Sequence, residues 1–231
     1  MSKLSNYYNA YKPLLVDLFK KTFPSHKKAL NNLDKKLQKY LNFKKGFFIE
    51  AGAYDGVSQS NTYFLEKAKE WNGILIEPMP VNFDKITLNR TVSAVNCALV
   101  DSNFIDSEIK INYAGLMSVT NGVMGKDQTK EHVANGICLH NFKSSYQIRV
   151  EARTLSSIID EFGSPSIDFL SLDVEGAENF VLNGIDFERH RPKYILVEER
   201  KHNETMSLIE SFQYIFLDQL TNHDYLYKDT N

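Results

Sequence analysis

Four carboxylates stand where short apolar runs end. Glu50 follows residues 47–49, Glu77 follows 73–76, Asp173 follows 167–172 and Glu198 follows 194–197. A carboxylate can accept the hydroxyls of a ribose, meet a cation, take a proton from a hydroxyl or ligate a hard divalent ion. A single strand-end acid is weak evidence, because it can also cap the next helix. Four in equivalent places are stronger. In an open α/β sheet, ligands bind beyond the carboxyl ends of the strands, so these acids should share one cleft.

The first acid opens a loop with two glycines, Glu50-Ala-Gly52-Ala-Tyr54-Asp55-Gly56. Glycine lets the backbone turn sharply and approach a ligand. The dinucleotide pattern Gly-x-Gly-x-x-Gly is absent, and so is the Gly-Lys-Ser/Thr of a phosphate loop. An acidic loop repels pyrophosphate. It suits a ligand with an amino group or a sulfonium, and S-adenosylmethionine (SAM) carries both. Another nucleotide or a purely structural turn remains an alternative for the loop alone. Glu77 falls where an acid at the end of a second strand accepts ribose hydroxyls. Asn96-Cys97-Ala98-Leu99 ends a third strand, where adenine would lie.

Those residues need elements to hold them. Alternating patterns predict strands at 46–51, 73–77, 92–99, 109–113, 146–152, 167–172 and 194–197, with a closing pair at 214–217 and 225–227. Helices are predicted at 60–71, from Pro80 to Leu88, and at 154–162, 177–183 and 203–211. Repeated βα units imply an α/β fold, a mostly parallel sheet with helices on both faces. The closing pair implies one antiparallel strand. Residues 114–145, rich in Gly, Ser and Asn, read as a long loop or short helix over the pocket. Residues 5–42 carry helical periodicity. Tyr7, Tyr8, Tyr11, Leu14, Leu15, Leu18 and Phe19 form one stripe. Ala29, Leu30, Leu33, Leu37 and Leu41 form another, in a helix capped by Ser25. Two units are therefore expected, an N-terminal helical extension over 1–45 and a domain over 46–231, with 114–145 as its lid.

Charge is uneven. The net charge is −2, yet residues 1–45 hold 11 Lys against Asp17 and Asp34. Such a segment could grip nucleic acid or an anionic surface. The blander reading, docking on an acidic body, is favoured, because no Arg occurs before Arg90 and base readout relies on Arg. Cys97 and Cys138 are expected as free thiols in a reducing cytoplasm. No apolar run is long enough to span a membrane, and residues 1–8 lack the apolar core of a signal peptide.

Phe48 to Val57, Ser60-Asn61-Thr62, Gly73 to Pro78, Arg153-Thr154-Leu155 and Ile167 to Glu178 together resemble the FkbM family of SAM-dependent methyltransferases. The resemblance implies a class I, seven-stranded Rossmann-like fold with SAM as methyl donor. It further implies methylation of oxygen, often on sugars. By position it implies Glu50, Gly52, Tyr54 and Asp55 in the cofactor loop, and Asn61 and Thr62 at the amino-acid end. Glu77 and Pro78 fall at the ribose, Ala98 near adenine and Asp173 near the transferred methyl. Candidate bases are Asp173, Glu198 and His202, with His132 and His140 in the lid as further options. A divalent metal ion held by Asp173 and Glu198 is an open variant. The adjacent acids Glu198 and Glu199 need a partner, for which Arg200 and Lys201 are at hand. The expected acceptor is a small-molecule saccharide or nucleotide-sugar, with the Lys-rich segment available to a diphosphate. Oligomeric state is left open, a homodimer included. The competing readings are a non-catalytic SAM- or nucleic-acid-binding module and a nicotinamide oxidoreductase, the latter disfavoured by the missing third glycine.

Overall fold

A computed structural model describes residues 28–114, 118–120, 126–140, 144–199 and 202–231. The Tyr stripe and Ser25 lie outside the described residues, as do Arg200 and Lys201. The main sheet has seven strands: β1 (Phe47–Ala51), β2 (Asn72–Ile76), β3 (Ser93–Val95), β8 (Phe169–Leu172), β9 (Tyr194–Glu198), β10 (Tyr214–Gln219) and β11 (Asp224–Asp229). Their spatial order is β10-β11-β9-β8-β1-β2-β3. Pairs β1–β2, β1–β8, β2–β3 and β8–β9 are parallel, and β11 runs antiparallel to both neighbours. The order reverses between β1 and β8, the switch point at which such sheets bind ligands.

Strand alternation sorts the core into two layers. Ile49, Ala51, Ile74, Ile76, Leu170 and Leu172 face α5 (Leu155–Glu161), α6 (Glu178–Leu182) and α7 (His202–Ser211), meeting Ile158, Leu182 and Ile209. Phe48, Leu75, Phe169 and Leu196 face α1 (Leu33–Leu37), α2 (Tyr63–Lys69) and α3 (Pro80–Asn89). The second layer includes Leu33, Leu37 and Leu41 of the Lys-rich segment, all fully or almost fully buried. Burying each such Leu contributes roughly 1.5–3 kcal/mol. Among the described residues this segment therefore packs as part of the core, across the expected boundary at 45. Its helix is shorter than its periodicity predicts. Asn31 and Asn32 take left-handed φ of 53° and 57°, which Asn tolerates, so the helix begins only at Leu33, and Leu30 is left exposed.

The predicted third strand divides. β3 ends at Val95, and β4 (Ala98–Leu99) leaves the main sheet to pair with β7 (Tyr146–Arg153). The Asn96 amide holds the break by donating to the carbonyls of Glu77 and Pro78 at 2.7 and 3.1 Å. A second sheet results, in the order β4-β7-β5-β6, where β5 is Glu108–Tyr113 and β6 is Val119–Thr120. The region expected as a loop or short helix contains β6 and a 15-residue helix, α4 (Lys126–His140).

Candidate active site

Gly52 stands at the switch point with φ of +83°, and a Cβ there would lie 1.7 Å from the Asp173 carbonyl oxygen. Only glycine lets the loop after β1 touch the end of β8. Asp173 N–H donates to the Ala51 carbonyl at 3.1 Å, so the two motifs meet through their backbones. Beyond them opens a cleft of about 910 Å³, its mouth included. Gly52, Tyr54, Glu77, Pro78, Ala98, Asp173 and Glu198 line it.

The structure does not bring Glu50, Asp55, Asn61 and Thr62 to that wall. Glu50 is buried and saturated. It accepts from Ser60 Oγ at 2.8 Å, Asn61 N–H at 2.8 Å and Thr62 Oγ1 at 2.6 Å, and lies 3.7 Å from the Arg90 guanidinium. Arg90, also buried, donates to Glu66, to the Gly56 carbonyl, to Ser60 Oγ and to Thr62 Oγ1. Asp55 accepts from Val57 N–H at 2.9 Å and from the Ser58 N–H and hydroxyl at 2.6 and 2.8 Å. Asn61 Nδ2 donates to Ser171 Oγ at 3.2 Å. In this structure these side chains brace the loop from behind. The one sequence signal for this hub is that Arg90 is the first arginine of the chain.

Glu77 turns into the cleft with its carboxylate held by the N–H groups of Tyr54 and Met79 at 2.9 and 3.0 Å and by Asn82 Nδ2 at 3.3 Å. Burial outweighs those donors and pushes its carboxyl up to about 7. Tyr54 sits above it in a left-handed conformation, with Lys85 Nζ 5.6 Å from its ring centroid. Cys97 is buried on the wall near Ala98, and burial raises its thiol to about 12, so it packs as an apolar group. Cys138 is free and exposed.

At the other end of the cleft, Asp173 is raised well above the usual carboxylate range, first by burial and then by the charges of Glu198 and Glu175. Glu198 is raised by burial and by Asp224, against the hydrogen bond it accepts from Asp173. Their proximity raises both carboxyls, and the hydrogen bond from Asp173 to Glu198 favours the proton on Asp173. The neighbouring Glu199 accepts from the Tyr227 hydroxyl at 3.0 Å, which supplies a partner for the second acid. Glu175 also lines the wall, in a left-handed conformation with φ of 53°. Its Oε2 lies 3.2 Å from Nε2 of the buried His132 on α4. His140 ends α4 and His202 begins α7, and the side chains of both lie outside the described part.

Among the described residues no group of three or more His, Cys, Asp or Glu could hold an ion. The metal variant at Asp173 and Glu198 therefore finds no support among them. The cleft residues do fit SAM. The glycine cradle admits close backbone approach, Glu77 faces the cleft, and Asn82 Oδ1 is a buried acceptor with no hydrogen-bond donor among the described residues. No helix among the described residues is long and apolar enough to cross a membrane.

The methyltransferase FkbM domain matches residues 50–227. Methyltransferase sdnD of Sordaria araneosa is 24% identical over 204 residues, covering 79% of this chain and 73% of that protein. Methyltransferase FkbM from Methylobacillus flagellatus aligns with a TM-score of 0.46 and 15% identity, over 80% of this chain and 43% of that one. A SAM dependent methyltransferase from Aquifex aeolicus aligns at 0.42 and 10% identity, over 89% and 93%. The chain thus spans less than half the length of the Methylobacillus protein. From the acid that ends β1 to the last strand, the chain belongs to the FkbM family and carries a SAM-dependent methyltransferase domain.

Proposed function

We propose that this protein transfers a methyl group from SAM to a hydroxyl of a small neutral saccharide. The observation that carries the reading is one cleft with a hydroxyl-accepting acid, Glu77, at one end and the hydrogen-bonded pair Asp173 and Glu198 at the other. Bound SAM supplies a methyl group already activated on a sulfonium. The cofactor contacts fall to Gly52, Tyr54, Glu77, Pro78 and Ala98, with Asp173 near the methyl end. Glu50, Asp55, Asn61 and Thr62 act indirectly, by fixing the loop.

The chain must then align the acceptor hydroxyl and receive its proton. Alignment of this kind supplies about 7–11 kcal/mol in the best cases, and a positioned base adds ~10²–10⁴-fold. Glu198 is the proton acceptor in this reading, and Asp173, already protonated, orients it. A diphosphate would meet an acid-lined wall with no lysine or arginine among the described residues to balance it, so the neutral saccharide is preferred to the nucleotide-sugar.

Calorimetry with S-adenosylhomocysteine (SAH) tests the cofactor half. Wild type should bind and Glu77→Ala should lose binding. Transfer of radiolabelled methyl from SAM to neutral monosaccharides, with uridine-diphosphate sugars in parallel, tests the acceptor half. SAH binding with no transfer to any hydroxyl would leave a binding module in place of an enzyme.

A further inference from the structure

The acceptor capacity around Glu77 does not match a ribose. A ribose offers two hydroxyl donors side by side. Glu77 Oε1 already accepts two N–H groups, from Met79 at 3.0 Å and Asn82 Nδ2 at 3.3 Å, which fills its two lone-pair directions. Oε2 accepts one, from Tyr54 N–H at 2.9 Å, and has room for one more. The carboxylate therefore has a place for one hydroxyl, and the second needs another acceptor.

Asn82 supplies it. The residue lies in the first turn of α3, which Pro80 opens, and is 1% exposed on the cleft wall. Its Nδ2 faces Glu77, which turns Oδ1 away from that carboxylate. Oδ1 has no donor among the described residues. An acceptor buried without a donor is costly, by an amount that a bound ligand's donor recovers. We propose that Asn82 Oδ1 accepts one ribose hydroxyl of the bound cofactor while Glu77 Oε2 accepts the other. Asn82 is then a specificity residue for a ribonucleoside with both hydroxyls intact. The inference rests on the SAM reading given above and concerns a different residue.

SAH and its 2′-deoxy and 3′-deoxy analogues, titrated calorimetrically into wild type and Asn82→Ala, test it. Wild type should bind each deoxy analogue more weakly than SAH. Asn82→Ala should bind SAH roughly 10- to 100-fold more weakly. In that variant one of the two deletions should cost nothing further, which names the hydroxyl that Asn82 holds. Equal SAH affinity in wild type and Asn82→Ala overturns the inference and leaves the SAM reading standing. So does wild type that responds to the loss of only one hydroxyl, a result that needs no variant to fold. Wild type that fails to bind SAH overturns both.

Discussion

Two groups of buried charge lie on either side of β1, and they are treated in opposite ways. Behind the glycine loop, Glu50 and Glu66 are matched by Arg90 and a full set of hydroxyl and N–H donors. Burial alone would raise Glu66, yet hydrogen bonds from Lys67 and Arg90 hold it at about 2. In the cleft, Asp173 and Glu198 sit together with no Arg or Lys on the wall among the described residues, and the pair's carboxyls rise. Compensated charge fixes a shape. Uncompensated charge is poised to exchange a proton or meet a ligand, which is why perturbed groups in a cleft mark function.

The contrast is broken first at Glu198 and Asp173. With the saccharide that wild type methylates, Glu198→Gln should lower turnover ~10²–10⁴-fold, and Asp173→Asn, which loses only the orienting carboxyl, should lower it less and without lowering the melting temperature. The raised Asp173 carboxyl keeps its proton in the fold, so its stabilising share is present at low pH and fades as pH rises through its folded pKa. Asn removes that dependence, and melting curves across pH would show it. Arg90→Ala should act the other way round. It strands Glu66 and Glu50 and should cost about 3–5 kcal/mol in urea unfolding. Retention of full stability would mean that the hub does not hold the loop.

A smaller effect separates the two ends of the cleft. Glu77 ionises near 7 in the fold, against 4.5 for an ordinary Glu. Its carboxylate is the better hydroxyl acceptor, so SAH affinity should fall as pH drops through about 7. The wild-type curve should exceed that of Glu77→Gln only above that pH. The smallest effect belongs to the exposed pair Lys44 and Glu70, 2.7 Å apart. Lys44→Ala should leave the melting temperature unchanged, since exposed pairs contribute little.

The sequence showed the compensated and the uncompensated acids alike, as carboxylates after apolar runs. Strand ends and the convergence of Glu77, Asp173 and Glu198 were legible because alternation and glycine spacing are local. That Glu50 faces away was not, because its partner Arg90 lies 40 residues on and pairing of that kind has no periodicity. The division of strand three at Asn96 was hidden for the same reason. Residues 92–99 are uniformly suited to a strand, and only the distant β7 draws the second half aside. Asn82, in the first turn of α3, and Glu175, in the turn before α6, carried no such local signal; their place on the cleft wall appears only when the strand-end acids are in place beside them.

That division at Asn96 has a consequence for how such a protein can be altered. Leu99 lies beside Arg153 in the β4–β7 pair, and Val100 N–H donates to the Arg153 carbonyl at 3.0 Å. The chain thus departs and returns at one point, and between lie Ile111, Ser118 and Thr120 of the cleft wall. Segments whose ends meet are the ones that chains exchange most readily. Exchanging residues 100–151 for the matching segment of a relative should leave Gly52, Glu77 and Asp173 in place, and a changed acceptor with SAH affinity retained would assign the acceptor side to that segment.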